Sequence, residues 1–380
     1  MDNLVYHEAS PSNDNANGFS EFNTINWELM ATDRKLVPNS VRIDFDLVVN
    51  ETDGGTRVDN KRIAIDNLCG GHVFFESWQV GVESVGLISN EQEYPRWAKT
   101  FFSATQDIND NNSAIANAEG RTCHPAAGEI VIEMQGGGEG AQGATDPNKK
   151  DPSFSIKPLI SLNRYMGDSY SFNKLGHLRV STNLSRNGHA LYGAQCAGGG
   201  RSPVYLMKNV KLRFTSVPDD GKQGKMLMNS YTSVKATSNS NSFSIDSKVP
   251  AKMCNGVVIN FLDQGSESEI VSNNQLLEQY PNLDSIRYSF NNALNKYITY
   301  EITDRGDMVR LGLEALTEGN LNSVHARNIF NNQSYIVGLP FQEYTDLSTS
   351  KFTTQLISSA NTFGTKPQQV YLYFLTLISL

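Results

Sequence analysis

"VYLYFLTLISL", residues 370–380, is the most apolar run of an otherwise polar chain, and the chain stops on it. A membrane-spanning helix needs about 20 apolar residues, and this shorter run also contains Thr376 and Ser379. β-Branched and aromatic residues crowd it, Pro367 precedes it, and a turn-forming "NTFGTKP" (361–367) leads in. Those signals together describe a buried strand rather than a helix. The chain is therefore expected to close by inserting its last strand into a sheet core.

Working outward, the same opening letters recur at Val204-Tyr205-Leu206, in "PVYLMKNVKLRF" (203–214). Each copy is the third member of an ordered triplet. "SFSIKPLISLNRY" (153–165) and "YSFNKLGHLRVSTNL" (170–184) precede the first, and "SYIVGLPFQEYTD" (334–346) and "LSTSKFTTQLISSA" (347–360) precede the second. Each triplet runs strand, polar turn, strand, Gly/Pro-rich loop, strand, and a repeated order of segments signals a repeated structural unit. A boundary is expected near "SVPDDGKQGK" (216–225), where the apolar pattern gives way to charge and glycine. Three parts follow: a flexible N-terminal arm over 1–25, a first unit over 26–220 and a second over 221–380.

Period-2 patterning fills both units. "SVRIDFDLVV" (40–49) alternates Val41, Ile43, Phe45 and Leu47 against Arg42, Asp44 and Asp46. "FFESWQVGVESVGLI" (74–88) offers Phe75, Trp78, Val80 and Val82 as core residues, with a slip between Phe75 and Trp78 that predicts a bulge. One helix is expected in "SNEQEYPRWAKTFF" (89–102), capped by Asn90, with Glu93 in the manner of a capping box and Trp97 and Phe101 on one face. "DMVRLGLEALTEG" (307–319) is a second helical candidate through Val309, Leu313 and Leu316, although Val309, Leu311 and Leu313 also fit a strand. The Gly-rich "QGGGEGAQGATDPNKKD" (135–151) is expected to be an outward, mobile loop.

Composition narrows the function. The chain has 380 residues, 39% hydrophobic and 19% charged, a balance that suits an all-β protein with room for two cores. With a formal charge of -8 and only short basic pairs such as Lys61-Arg62 and Lys149-Lys150, no stripe exists to neutralise phosphates, so direct nucleic-acid binding is not expected. The N-terminus has neither a positive nor an apolar region of the secretory kind, so the expectation is a product kept in the cytosol. Cys69, Cys123, Cys196 and Cys254 are too widely spaced for a zinc ribbon or disulfide framework and read as buried thiols. The nucleophile-elbow, phosphate-loop and H-E-x-x-H patterns are all missing from the sequence. Cys123-His124 has no further ligands at zinc spacing, and the pairs Asp219-Asp220 and Glu267/Glu269 sit in polar stretches where solvated acids are ordinary. No catalytic, cofactor-binding or metal-ligating residue is assigned.

At this point the strands become specific. "FSIKPLISLNRY", "LGHLRVSTNL" and "PVYLMKNVKLRFTSV" resemble the end of the first barrel in double jelly-roll major capsid proteins of tailless icosahedral viruses, the lineage of adenovirus hexon and of membrane-containing phages. "FFESWQVGVESVGLISN" resembles the strand pair before that barrel's helix, and "YIVGLPFQEYTD" with "PQQVYLYFLTLISL" resembles the closure of the second barrel. The resemblance implies two tandem eight-stranded jelly-roll barrels with a few short helices in loops, and no enzyme activity. It implies a structural capsid subunit of the virion, made in the host cytoplasm, whose homotrimers tile an icosahedral shell beside neighbouring trimers and penton or minor capsid proteins. The arm would reach between neighbours or toward an internal membrane. A minor or vertex protein of the same fold, or a receptor-binding β-rich spike, are the alternatives.

Overall fold

The computed structural model describes residues 3–13, 15–51, 62–106, 113–121, 129–133, 152–193, 203–238, 240–263, 283–291, 296–317, 335–359 and 368–380. Among the described residues, thirteen strands precede the segment 219–225: β1 (Val5–Ala9), β2 (Thr24–Leu29), β3 (Arg34–Leu36), β4 (Arg42–Glu51), β5 (Arg62–Asp66), β6 (Phe75–Val82), β7 (Gly86–Gln92), β8 (Glu129–Glu133), β9 (Ser153–Ile156), β10 (Tyr165–Gly167), β11 (Tyr170–Ser171), β12 (Leu178–Leu184) and β13 (Pro203–Pro218). Eight follow it: β14 (Met226–Ser238), β15 (Ser242–Ser247), β16 (Cys254–Asp263), β17 (Ser285–Asn291), β18 (Tyr297–Ile302), β19 (Ile336–Thr345), β20 (Phe352–Ile357) and β21 (Gln368–Ser379).

The pairing order is the same on both sides of that segment. Before it, the sheets run β1-β13-β4-β9 and β2-β12-β6-β7; after it, β14-β21-β16-β19 and β15-β20-β17-β18. Counting each set in chain order, both give first-eighth-third-sixth facing second-seventh-fourth-fifth, the two-sheet weave of a jelly roll. In the first barrel β3 continues the line of β4, since Leu36 pairs with Ser216 and Arg42 with Arg213 along β13. A helix lies between the fifth and sixth strands of each barrel, at Tyr94–Thr105 and Arg305–Thr317.

The alternating residues go where a period of two requires. Val41, Ile43, Phe45 and Leu47 are buried, as are Phe75, Trp78, Val80 and Val82, and the β6–β12 register shifts where Leu184 pairs with Phe75 while Asn183 pairs with Ser77. Phe45 stacks on Phe154 at 5.2 Å and meets Phe75 edge-on at 5.7 Å, joining the two sheets of the first barrel. In the second, Phe352 of β20 meets Phe374 of β21 at 5.1 Å. The helix reading of 307–319 holds over its described part, with Val309, Leu313 and Leu316 buried.

Two expectations are corrected. Residues 1–25 are not a free arm over their described part. β1 is the first strand of the first barrel, paired with β13 from Val5↔Ser216 to Ala9↔Leu212, and His7 stacks on Phe214 at 4.6 Å. Five residues are too few for periodicity to show, and the pairing that fixes them lies some two hundred positions away. Asn90 does not cap the helix either. It belongs to β7, and the helix starts after Glu93, whose left-handed backbone (φ 55°) turns the chain directly from strand into helix, with Pro95 in the first turn. The loop 135–151, together with Cys123-His124, Cys196 and Glu267/Glu269, lies outside the described residues.

Candidate functional site: the seam between the barrels

β21 is buried along nearly its whole length because both of its faces are covered. Leu372 and Phe374 point into the second barrel. Tyr371 and Tyr373 point the other way, onto the helix Tyr94–Thr105 of the first. The Arg96 guanidinium sits 4.6 Å over the Tyr371 ring, and Trp97 packs 5.4 Å from Tyr373 and 4.6 Å from Tyr231 of β14. Among the described residues, side-chain hydrogen bonds cross the same seam: Ser230 Oγ donates to Glu91 Oε1 (2.7 Å), Asn260 Nδ2 to Thr100 Oγ1 (2.7 Å) and Tyr373 Oη to the Glu93 carbonyl (3.3 Å). β10 pairs with β14 from Tyr165↔Met228 to Gly167↔Met226. The linker 219–225 is tied back as well, for Lys35 Nζ lies 3.2 Å from Asp168 and 2.8 Å from Asp220, and Gly224 N–H donates to Asp168 at 2.6 Å. Of the acid pair Asp219-Asp220, then, Asp220 serves as a partner of Lys35.

Behind the helix the first barrel buries polar groups that support it. Lys99 Nζ meets Asp66 Oδ2 at 2.6 Å, while Asp66 Oδ1 accepts from the N–H groups of Leu68 (2.9 Å) and Cys69 (2.8 Å). Tyr94 Oη accepts from Leu159 N–H (2.9 Å), leaving its own proton for His72 Nδ1 at 2.7 Å. Arg121 lies 2.7 Å from Glu119 and 3.9 Å over the Phe102 ring. Burial opposes charge on Glu119, but His72 and Arg121 outweigh it and hold the carboxyl at about 2. Burial is also the largest influence on His72 and lowers its imidazole, against the pull of Glu119. Glu91 instead takes a neutral hydroxyl, that of Ser230, on Oε1. Burial pushes its carboxyl up to about 8, and the Ser230 bond and the charge of Arg164 only moderate that.

This is a structural seam. Among the described residues no three His, Cys, Asp or Glu side chains converge as metal ligands, and Cys69 and Cys254 are separate buried thiols. Sequence reading assigned no site and missed the seam, although Glu91, Arg96 and Lys99 sit among aromatics on what looked like an ordinary amphipathic helix. A helix carrying both Trp97 and several charges on its covered side was the available signal.

No protein-family model matches the sequence. No curated protein matches it either. Solved structures do match, over the whole chain. The Faustovirus major capsid protein gives a TM-score of 0.61 at 8% identity, covering 99% of this chain and 90% of that one. The quasi-atomic PBCV-1 virus capsid gives 0.59 at 9%, covering 99% and 94%. PBCV-1 VP54, fitted into a reconstruction of the virophage Sputnik, gives 0.57 at 9%, covering 100% and 95%. The chain has the double jelly-roll fold of these capsid proteins.

Proposed function

We propose that this chain is the major capsid protein of an icosahedral virus, a structural subunit without enzyme activity whose place is the virion. The observation that carries the reading is the two-barrel fold matched from end to end, joined by a seam built to hold the barrels as one block. The division into a first barrel up to β13 and a second from β14, meeting at 219–225, belongs to the same reading. Three such chains present six barrels, which suits a facet lattice where each block has six neighbours. The working unit is therefore a homotrimer, and its partners are neighbouring trimers and the penton or minor proteins that complete a shell. Contact with an internal membrane through residues 1–25 is not part of the proposal, because β1 is committed to the first barrel.

Protein abundance in purified particles tests the reading. Hundreds of copies per particle are expected of a shell protein. Some tens of copies, confined to vertices, would assign the chain to a minor component instead.

A further inference from the structure

β1 lies on the first barrel without sinking into it. Val5 and Tyr6 are exposed, Tyr6 by 81%, and His7 and Ala9 are only half-buried, so the strand is held by its fastenings more than by a core. Among the described strands it pairs with β13 alone. Side chains add to that ladder. His7 stacks on Phe214 of β13 with the rings 4.6 Å apart and 11° from parallel. Arg34 of β3 donates to the Asn3 carbonyl just ahead of the strand and to the Ser216 carbonyl (3.1 Å). Glu8 pairs with Lys211 and Arg213.

One hydroxyl joins His7 to Arg34. Ser216 Oγ accepts from Arg34 Nε at 2.6 Å and lies 2.7 Å from His7 Nε2. It has a single proton, which it can give to Nε2 while that nitrogen is bare, so the hydrogen bonds run from Arg34 through Ser216 to a neutral imidazole. A proton on Nε2 reverses the last link. Two cationic donors then aim at one oxygen, and a second positive charge sits beside Arg34 against an apolar ring. Among the described residues Arg34 is the charged group on the His7 side of the ladder, while Glu8, Lys211, Arg213 and Asp44 share the other face.

We propose that β1 is an acid-released strap, docked on β13 while His7 is neutral and let go when His7 is protonated. Burial first, and then the charge of Arg34, hold the docked imidazole below its usual value of 6.5. The docked strand therefore binds fewer protons than the released one, so docking is at full strength above that value and weakens as pH falls below it. Glu8, whose carboxyl Lys211 holds below its ordinary value, gives way only in stronger acid. Release bares the edge of β13 and the ring of Phe214, which the docked state buries. The strap needs only the first barrel, whatever the chain goes on to build.

Hydrogen exchange of the full chain, read by mass spectrometry and corrected for the intrinsic effect of pH, tests this. Between pH 7 and 5 the amides of Val5–Ala9 should lose protection by up to about tenfold per pH unit, the limit for one proton, while those of β4 and β6 keep theirs. His7→Gln keeps an acceptor for Ser216, His7→Phe keeps the stack, and neither can take a proton, so in both variants the strap should stay protected down to pH 5. Should one replacement loosen the strand already at pH 7, the other decides. Wild-type protection that is level with pH, or a fall as steep in the variants as in the wild type, overturns the strap and leaves the capsid reading standing.

Discussion

Glu91 shows how far burial takes a residue from its behaviour in water. The folded chain keeps a proton on it up to about pH 8, whereas an unfolded chain releases that proton near the ordinary carboxylate value of 4.5. Arg164, Tyr94 and Tyr231 are the ionisable groups around it, and none replaces that proton. The folded state binds more protons across this window, so stability falls as pH rises from 4.5 through 8 and is level above. Glu91→Gln keeps an acceptor for Ser230 and removes the ionisation. Denaturant melts between pH 5 and 9 should show a flatter profile for the variant, and at pH 9 a gain of roughly 4–5 kcal/mol over the wild type. Parallel profiles would show that Glu91 does not titrate in the seam. Lys99 behaves oppositely, as half of a closed pair. Lys99→Met strands the buried Asp66 carboxylate and should cost about 3–5 kcal/mol, while Asp66→Asn added to it should recover part of the loss in the same melts. A Lys99→Met variant as stable as the wild type would mean that water reaches Asp66.

At the scale of elements, the helix Arg305–Thr317 lies unusually close to the sheet beneath it. A Cβ on Gly312 would come 2.7 Å from the Val337 carbonyl carbon, and one on Gly338 would come 2.4 Å from the Val257 carbonyl oxygen. In an open helix Gly→Ala gains about 1 kcal/mol. Here the added methyl meets backbone, which cannot rotate away, so Gly312→Ala should instead cost roughly 1–3 kcal/mol and lower the melting temperature. A rise would show that the helix can lift without penalty. The same closeness explains what sequence could and could not reveal. Strands with one covered face, such as β4 and β6, announce themselves by alternation, and the order of the last three strands of each barrel was legible for that reason. The shared Val-Tyr-Leu was not a register mark. Tyr205 points into its barrel, 4.9 Å from Phe74, whereas Tyr371 points out onto Arg96, so the identical letters fall on opposite faces of equivalent strands. The unbroken apolar run of β21 said that both faces are covered, but the second cover, a helix some 270 residues earlier, could only come from tertiary structure. β1 was illegible for a related cause, its strand pairing being made with β13, some two hundred positions away.

For the whole molecule, two unlike copies of one barrel are fixed into a rigid pair, and in the function proposed above three pairs make the building block of a shell. The seam supplies the rigidity. Its aromatic contacts and cross-barrel hydrogen bonds involve both barrels, so unfolding should be one cooperative event rather than two. Single-particle electron microscopy of the purified full-length chain tests the block of three pairs most directly. A three-fold symmetric particle with six density lobes, one for each barrel, and a fitted chain spanning two adjacent lobes is the expected result. Particles holding a single two-lobed chain at every concentration, or assemblies without three-fold symmetry, would contradict it.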